Sequence, residues 1–157
     1  MERVKEGVFS AIAFEVQGRR VLDLFAGSGQ MGIEALSRGA RSCVFVDSNR
    51  EAVAVVQRNL RATELADRAT VLCDTAPSVL NRRSDIFDLV FLDPPYASDL
   101  WLPCLEALQE CVAVGGAVLC ESDRDSELPD RVGAFVLQRT YRYGRVVVRL
   151  YRKEQSI

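Results

Sequence analysis

Hydrophobic positions along this chain change rhythm several times. Val4, Val8, Phe9, Ile12, Ala13 and Val16 share the three-and-four spacing of one buried helix face, which predicts an amphipathic helix ending near Gln17-Gly18. Arg20-Val21-Leu22-Asp23-Leu24-Phe25 reads as a short strand. A glycine-rich turn follows, then a helix over 31–38 that Gly39 closes at its C-terminal end. A second strand is predicted over 42–46. Ser48, three residues before Glu51, matches a capping box that opens a helix with Ala52, Val53, Val56 and Leu60 on its core face. Residues 69–73 predict a third strand and 76–80 a short helix, and 86–92 is a nearly continuous apolar run suited to the centre of a sheet. Asp93-Pro94-Pro95 ends that run, because proline has no N–H to continue a ladder.

Residues 99–111 return to helical spacing through Leu105, Leu108 and Cys111, with Pro103 displacing the first turn. Residues 114–120 form another apolar strand. The stretch 121–130 holds five acids and one base and reads as a solvated loop. Residues 134–141 and 145–151 flank a turn at Tyr143-Gly144 and predict an antiparallel hairpin. Strand and helix alternation followed by a hairpin implies an α/β domain with a mostly parallel open sheet and an antiparallel edge. The 157 residues match one domain, 1–157, without a repeat or linker.

Composition narrows the chemistry. Twenty Lys plus Arg against 22 Asp plus Glu give a formal charge of -2, so any nucleic-acid contact must rest on a local patch. The chain has no His, which removes histidine general bases, His-containing catalytic triads and His-based zinc sites, and no metal ion is expected. Five Cys form no CxxC pair and lie mostly in apolar runs, which predicts free thiols in a reduced, cytoplasmic protein. The N-terminus has no signal-peptide apolar region, and no apolar run approaches the length of a membrane span.

Two constellations carry chemistry. In the first, Gly27 and Gly29 in Asp23-Leu24-Phe25-Ala26-Gly27-Ser28-Gly29 lie where a buried strand turns into a helix, and there the backbone can approach a ligand closely. Asp47 ends the next strand 18 positions beyond Gly29, about the spacing at which an acid meets a ribose diol, with Ser48 beside it. Asp23 argues against a pyrophosphate at this loop and for the ammonium of an amino-acid moiety. Asp74, ending the third strand, is placed to accept from an adenine amino group, with Cys73 and Thr75 lining that pocket. The alternative for Asp74 is a helix-capping acid.

In the second, Asp93-Pro94-Pro95-Tyr96 follows the most apolar strand at the same sheet edge. The Asp93 carboxylate and Pro94 carbonyl can both accept from an exocyclic amine, and Tyr96 can stack on its base. Holding both amine protons turns the nitrogen lone pair toward an electrophile.

With these residues the chain resembles the class I S-adenosylmethionine-dependent methyltransferases, and among them the family that methylates the 2-amino group of a guanine in small-subunit (16S) ribosomal RNA. The resemblance runs through Arg3-Val4-Lys5-Glu6, the glycine-rich loop, Glu34-Ala35-Leu36-Ser37-Arg38-Gly39-Ala40, Asp47, the Asp93 turn and Glu121. It implies a Rossmann-like three-layer sandwich with a seven-stranded, mostly parallel sheet and an antiparallel edge strand. It also implies S-adenosyl-L-methionine along the loop with Asp47 on its ribose, and the Asp93 turn facing the target base. Relatives usually carry an Arg-Pro-Thr segment before the stretch matching Arg3-Val4-Lys5-Glu6, and this chain begins after it.

From 139 to 153 there are six basic residues and no acid, interleaved with Tyr141, Tyr143 and Tyr151. Tyr143 and Arg145 in the turn are therefore candidates for contact with ribosomal RNA or a small-subunit assembly particle. Arg3 and Lys5 form a second small patch. Outward arginines that merely protect an edge hairpin are the structural alternative. No obligatory protein partner is implied. Other functions compatible with the residues are a DNA adenine or cytosine amino-methyltransferase, a small-molecule or protein amide methyltransferase, and a non-catalytic RNA-binding module.

Overall fold

The computed structural model describes residues 2–95 and 99–155. Its strands are β1 (Arg20–Leu24), β2 (Ser42–Asp47), β3 (Ala69–Cys73), β4 (Phe87–Leu92), β5 (Val112–Asp123), β6 (Arg131–Val132), β7 (Phe135–Tyr143) and β8 (Val146–Lys153). They form one sheet among the described residues, in the order β3-β2-β1-β4-β5-β8-β7-β6. β1 to β5 pair in parallel, so their C-terminal ends share one edge. The helices are α1 (Glu2–Ala11), α2 (Gln30–Ser37), α3 (Arg50–Ala62), α4 (Ala76–Arg82) and α5 (Trp101–Ala107).

Strand alternation divides the core into two layers. Val21, Cys43, Phe45, Leu89, Phe91 and Leu119 pack with Val4, Val8 and Phe9 of α1, Leu36 of α2 and Val56 and Leu60 of α3. Leu22, Leu24, Val46, Val90, Leu92 and Val118 face Val79 and Leu80 of α4 and Leu105 of α5. Helices on both faces bury each strand twice, which is why the buried positions of β1 and β4 are apolar apart from Asp23. Asp23 lies between Leu22 and Leu24 and is only 4% exposed, a carboxyl set into a hydrophobic strand. At the opposite end of β1, Arg20 Nε and Nη2 each donate to Asp88 at 3.0 Å and tie the starts of β1 and β4 together.

The fold class is the α/β sandwich expected, with five differences in detail. The sheet has eight strands rather than seven, because the two-residue β6 pairs with β7. The antiparallel strand β8 is interior, between β5 and β7, since the second arm of the hairpin folds back onto the parallel sheet and leaves the first arm outside. α1 stops at Ala11. Ile12 and Val16 are still buried, but they reach the core from turns, and periodicity alone cannot separate the two cases. The cap of α3 is Asn49, not Ser48: its side chain accepts from Glu51 N and Ala52 N, while Asp47 Oδ1 accepts from Asn49 N at 2.9 Å. The hairpin turn shifts by one residue, to Gly144 and Arg145, because Tyr143 pairs with Val146.

Candidate active site

The segments leaving β1, β2, β3, β4 and β5 meet at one end of the sheet, as open parallel sheets require of their binding crevices. Two cavities lie there. One of about 260 Å³ is bounded by Val4, Lys5 and Val8 of α1, by Asp23 and the loop after it, and by Phe91, Leu119 and Val148 of the sheet. The other, about 680 Å³, is lined by Asp47, Ser48, Asp74, Thr75, Pro94 and Pro95, among others. Phe25, Asp93 and Glu121 line both, so the cavities are neighbouring halves of one crevice.

The loop after β1 is held by two carboxylates. Asp23 Oδ2 accepts from Gly32 N at 3.0 Å, in the first turn of α2, and Asp47 Oδ2 accepts from Gly27 N at 2.9 Å. Phe25 has φ 60, a left-handed conformation that bulky residues rarely adopt, so the loop stores strain at the point where both cavities meet. Gly27 has φ +58, and a Cβ built on it would meet nothing within 4 Å, so its backbone faces open space. Gly29 is different: its Cβ would lie 3.2 Å from the Val56 methyls of α3. That glycine serves helix packing and a left-handed turn, and it lines neither cavity.

Burial pushes the Asp23 carboxyl up to about 7, the Gly32 N–H partly opposes this, and Asp47 adds a smaller upward push. Asp93 is raised well above the usual carboxylate range, by burial of its carboxyl first and then by Glu121 and Asp23. Asp93 remains solvent-exposed as a residue, at the point where the two cavities meet. Asp74 is heavily engaged: it accepts from Thr75 N at 2.8 Å and Ser78 Oγ at 3.3 Å, and pairs with Arg82. Thr75 itself caps α4 by accepting from Ser78 N.

Thus Asp23, Phe25, Ala26, Gly27 and Ser28 line the smaller cavity, and Asp47, Ser48, Asp74 and Thr75 the larger. Asp93 belongs to both, and Pro94 and Pro95 to the larger, while Tyr96 lies outside the described residues. Of the residues considered for RNA contact, Lys5 lines the smaller cavity, with its ammonium 3.1 Å from Glu2 and 3.5 Å from Glu34. Arg3 is exposed, and Arg145 is exposed at the hairpin tip. Tyr143 packs on α1: a Cβ on Gly7 would lie 2.5 Å from its ring. None of Arg3, Tyr143 and Arg145 lines either cavity. Glu121, read from sequence as the start of a solvated loop, instead extends β5 and enters both cavities. The signal for it was its place directly after the apolar run of β5, the same logic that marks Asp93 after β4.

The family profile described as "Conserved hypothetical protein 95" matches residues 1–152. YlbH of Bacillus subtilis strain 168, a candidate rRNA methyltransferase, is 40% identical over 97% of this chain and 85% of its own length. Ribosomal RNA small subunit methyltransferase D of Escherichia coli K12 is 32% identical over 98% of this chain and 78% of its own. A Streptococcus pyogenes conserved hypothetical protein of solved structure superposes with a TM-score of 0.90 at 38% identity, covering 96% of this chain and 95% of that one.

Proposed function

Since the chain belongs to the family described as "Conserved hypothetical protein 95", we propose that it methylates the exocyclic 2-amino group of a guanine in small-subunit ribosomal RNA, free or in an assembly particle. At the coarser level it is an S-adenosylmethionine-dependent methyltransferase related to the rRNA methylases. Among its described residues no helix is long and apolar enough to cross a membrane, and a ribosomal-RNA substrate would place its work in the cytoplasm.

The observation that carries this reading is that Asp23 and Asp93, from neighbouring strands, line one cavity. The crevice fits the cofactor's chemistry. Gly27 leaves space that a Cβ would occupy, Asp47 presents a carboxylate at the larger cavity, and Asp23 supplies an anion suited to an ammonium group. The combined volumes fall in the range typical of small-molecule sites. Asp23, Phe25, Ala26, Gly27, Ser28, Asp47, Ser48, Asp74 and Thr75 would hold S-adenosyl-L-methionine, which when bound supplies an electrophilic methyl group. Asp74 contributes least, because Thr75, Ser78 and Arg82 already occupy its carboxylate.

Asp93 and the Pro94 carbonyl accept the two protons of the target amine and orient its lone pair, and Tyr96 stacks on the base. Proline supplies no competing N–H at this turn. Arg3, Lys5, Tyr143 and Arg145 belong to the RNA-facing side of this proposal. Tyr143 acts there through its packing on α1, while Arg145 remains open to phosphate.

The test is transfer of labelled methyl from the cofactor to undermethylated small-subunit RNA, with and without bound ribosomal proteins, alongside DNA and free protein. Nucleoside digestion should return N2-methylguanosine. Label in adenine, cytosine or protein instead would refute the guanine assignment.

A further inference from the structure

We propose that Glu121 is a positioning residue for Asp93: the two carboxyls share one proton across the adjacent ends of β4 and β5, and so present one negative charge and one oriented acceptor to the amine. The inference rests on the reading of Asp93 as the amine's acceptor.

Three observations support it. Leu92 pairs with Cys120 in the parallel ladder, so Asp93 and Glu121 are the next residues on neighbouring strands. Both line both cavities, and the Asp93 carboxyl is raised by its burial first and then by Glu121 beside it. Ionised carboxylates only accept, so two of them side by side can bond to each other only by holding a proton between them. Glu121 Oε1, moreover, is buried without a hydrogen-bond partner. A full charge on that oxygen would be uncompensated, whereas the carbonyl oxygen of a neutral carboxyl carries far less penalty.

Among the described residues, Lys5 is the one cation lining the two cavities. Asp23 from β1 faces the pair across the smaller cavity and Asp47 and Asp74 line the larger, all acidic. Lys5 of α1 lines the smaller cavity but is paired with Glu2 and Glu34. Arg149 of β8 donates to Ser122 Oγ and the Ser126 carbonyl. Retaining one proton relieves this concentration of negative charge. When the target amine becomes a secondary amine it gives up one proton, and the ionised oxygen of the pair takes it. Both carboxyls are then neutral until solvent removes a proton.

The test is a ¹³C-carboxyl NMR titration of Asp93 and Glu121 in the ligand-free protein, for the wild type, E121Q and D93N. In the wild type the pair should take up its first proton above the ordinary carboxylate range. E121Q should bring Asp93 back toward the ordinary Asp value, short of the part that burial causes, and D93N should abolish the shared uptake. Identical Asp93 titration in wild type and E121Q, or two ordinary titrations in the wild type, would overturn the proposal. In the methyl-transfer assay E121Q should lower kcat about a hundredfold, the low end for a positioned acid–base group, with the KM for the cofactor unchanged. An unchanged kcat and kcat–pH profile would also overturn it. Because the titration needs no substrate, a wild type that leaves RNA unmethylated while its pair titrates as described refutes the substrate assignment and not the shared proton.

Discussion

Asp47 Oδ2 accepts a hydrogen bond from Gly27 N at 2.9 Å, so the carboxylate ending β2 sets the backbone of the loop leaving β1. One residue thereby shapes both halves of the crevice, holding the loop of the smaller cavity while lining the larger.

Substituting Asp47 by Ala should therefore weaken cofactor binding by about ten- to a hundredfold, the loss expected when a charged hydrogen-bond acceptor is removed. Isothermal titration calorimetry would measure it. Gly27→Ala separates space from stability: the new methyl meets no protein atom, so the ligand-free protein should lose only about 1–2 kcal/mol to left-handed strain. Its cofactor affinity should fall much further. If affinity is retained, the open space at Gly27 is not where the ligand lies.

Asp23 predicts a pH dependence with a definite sign. Its folded-state value near 7 is above the ordinary Asp value, so below neutrality the carboxyl must lose a proton before it can face an ammonium group. Cofactor affinity should then rise about tenfold per pH unit from pH 5 to 7 and level off above, and Asp23→Asn should flatten the profile and weaken binding at pH 8. The ligand-free protein shows the reverse trend in stability. The contribution of protonated Asp23 is fully present below the unfolded value near 4 and is lost as pH rises through about 7, a span worth at most about 4 kcal/mol. Urea unfolding of wild type and Asp23→Asn across that range would expose the difference.

The strands up to β5 and their parallel run, the glycine-rich turn after β1, and Asp23, Asp47, Asp74 and Asp93 at the crevice were legible in the sequence, because doubly buried strands are written as largely apolar runs and the residues after them fall on one edge. Several features were not. Ile12 and Val16 are buried from turns, which a periodic pattern cannot distinguish from helix. Gly29 looked like a ligand-facing glycine, but the contact that requires it, with Val56, spans two elements far apart in sequence. Glu121 was hidden by the acids that follow it, since composition marked a loop where the ladder with Val148 continues through Asp123.

Asp93→Ala should reduce turnover far more than cofactor binding, because its assigned contact is to the amine. A loss of at least about a hundredfold in kcat with cofactor Kd changed less than threefold is the expected result. Equal losses in both would reassign Asp93 to the cofactor. Asp93→Asn keeps the shape and one acceptor oxygen but cannot take up a proton, so it should fall between wild type and Asp93→Ala.

The hairpin tip distinguishes packing from RNA contact within two neighbouring residues. Tyr143 lies partly buried against Gly7, so Tyr143→Ala should destabilise the fold by about 2–4 kcal/mol, as large-to-small changes at packed sites do. Its effect on RNA binding would then follow from displacement of α1, which also bounds the smaller cavity. Arg145 is exposed, and its backbone carbonyl alone is engaged, by Arg124 N at 2.9 Å. Arg145→Ala should leave the melting behaviour within about 0.5 kcal/mol of wild type. If the side chain meets a phosphate, the same change should weaken RNA binding similarly across sequences and reduce the slope of log K against log salt by about one. A salt slope identical to wild type would remove Arg145 from the RNA interface and leave the hairpin tip with only the edge-protecting role of its charge.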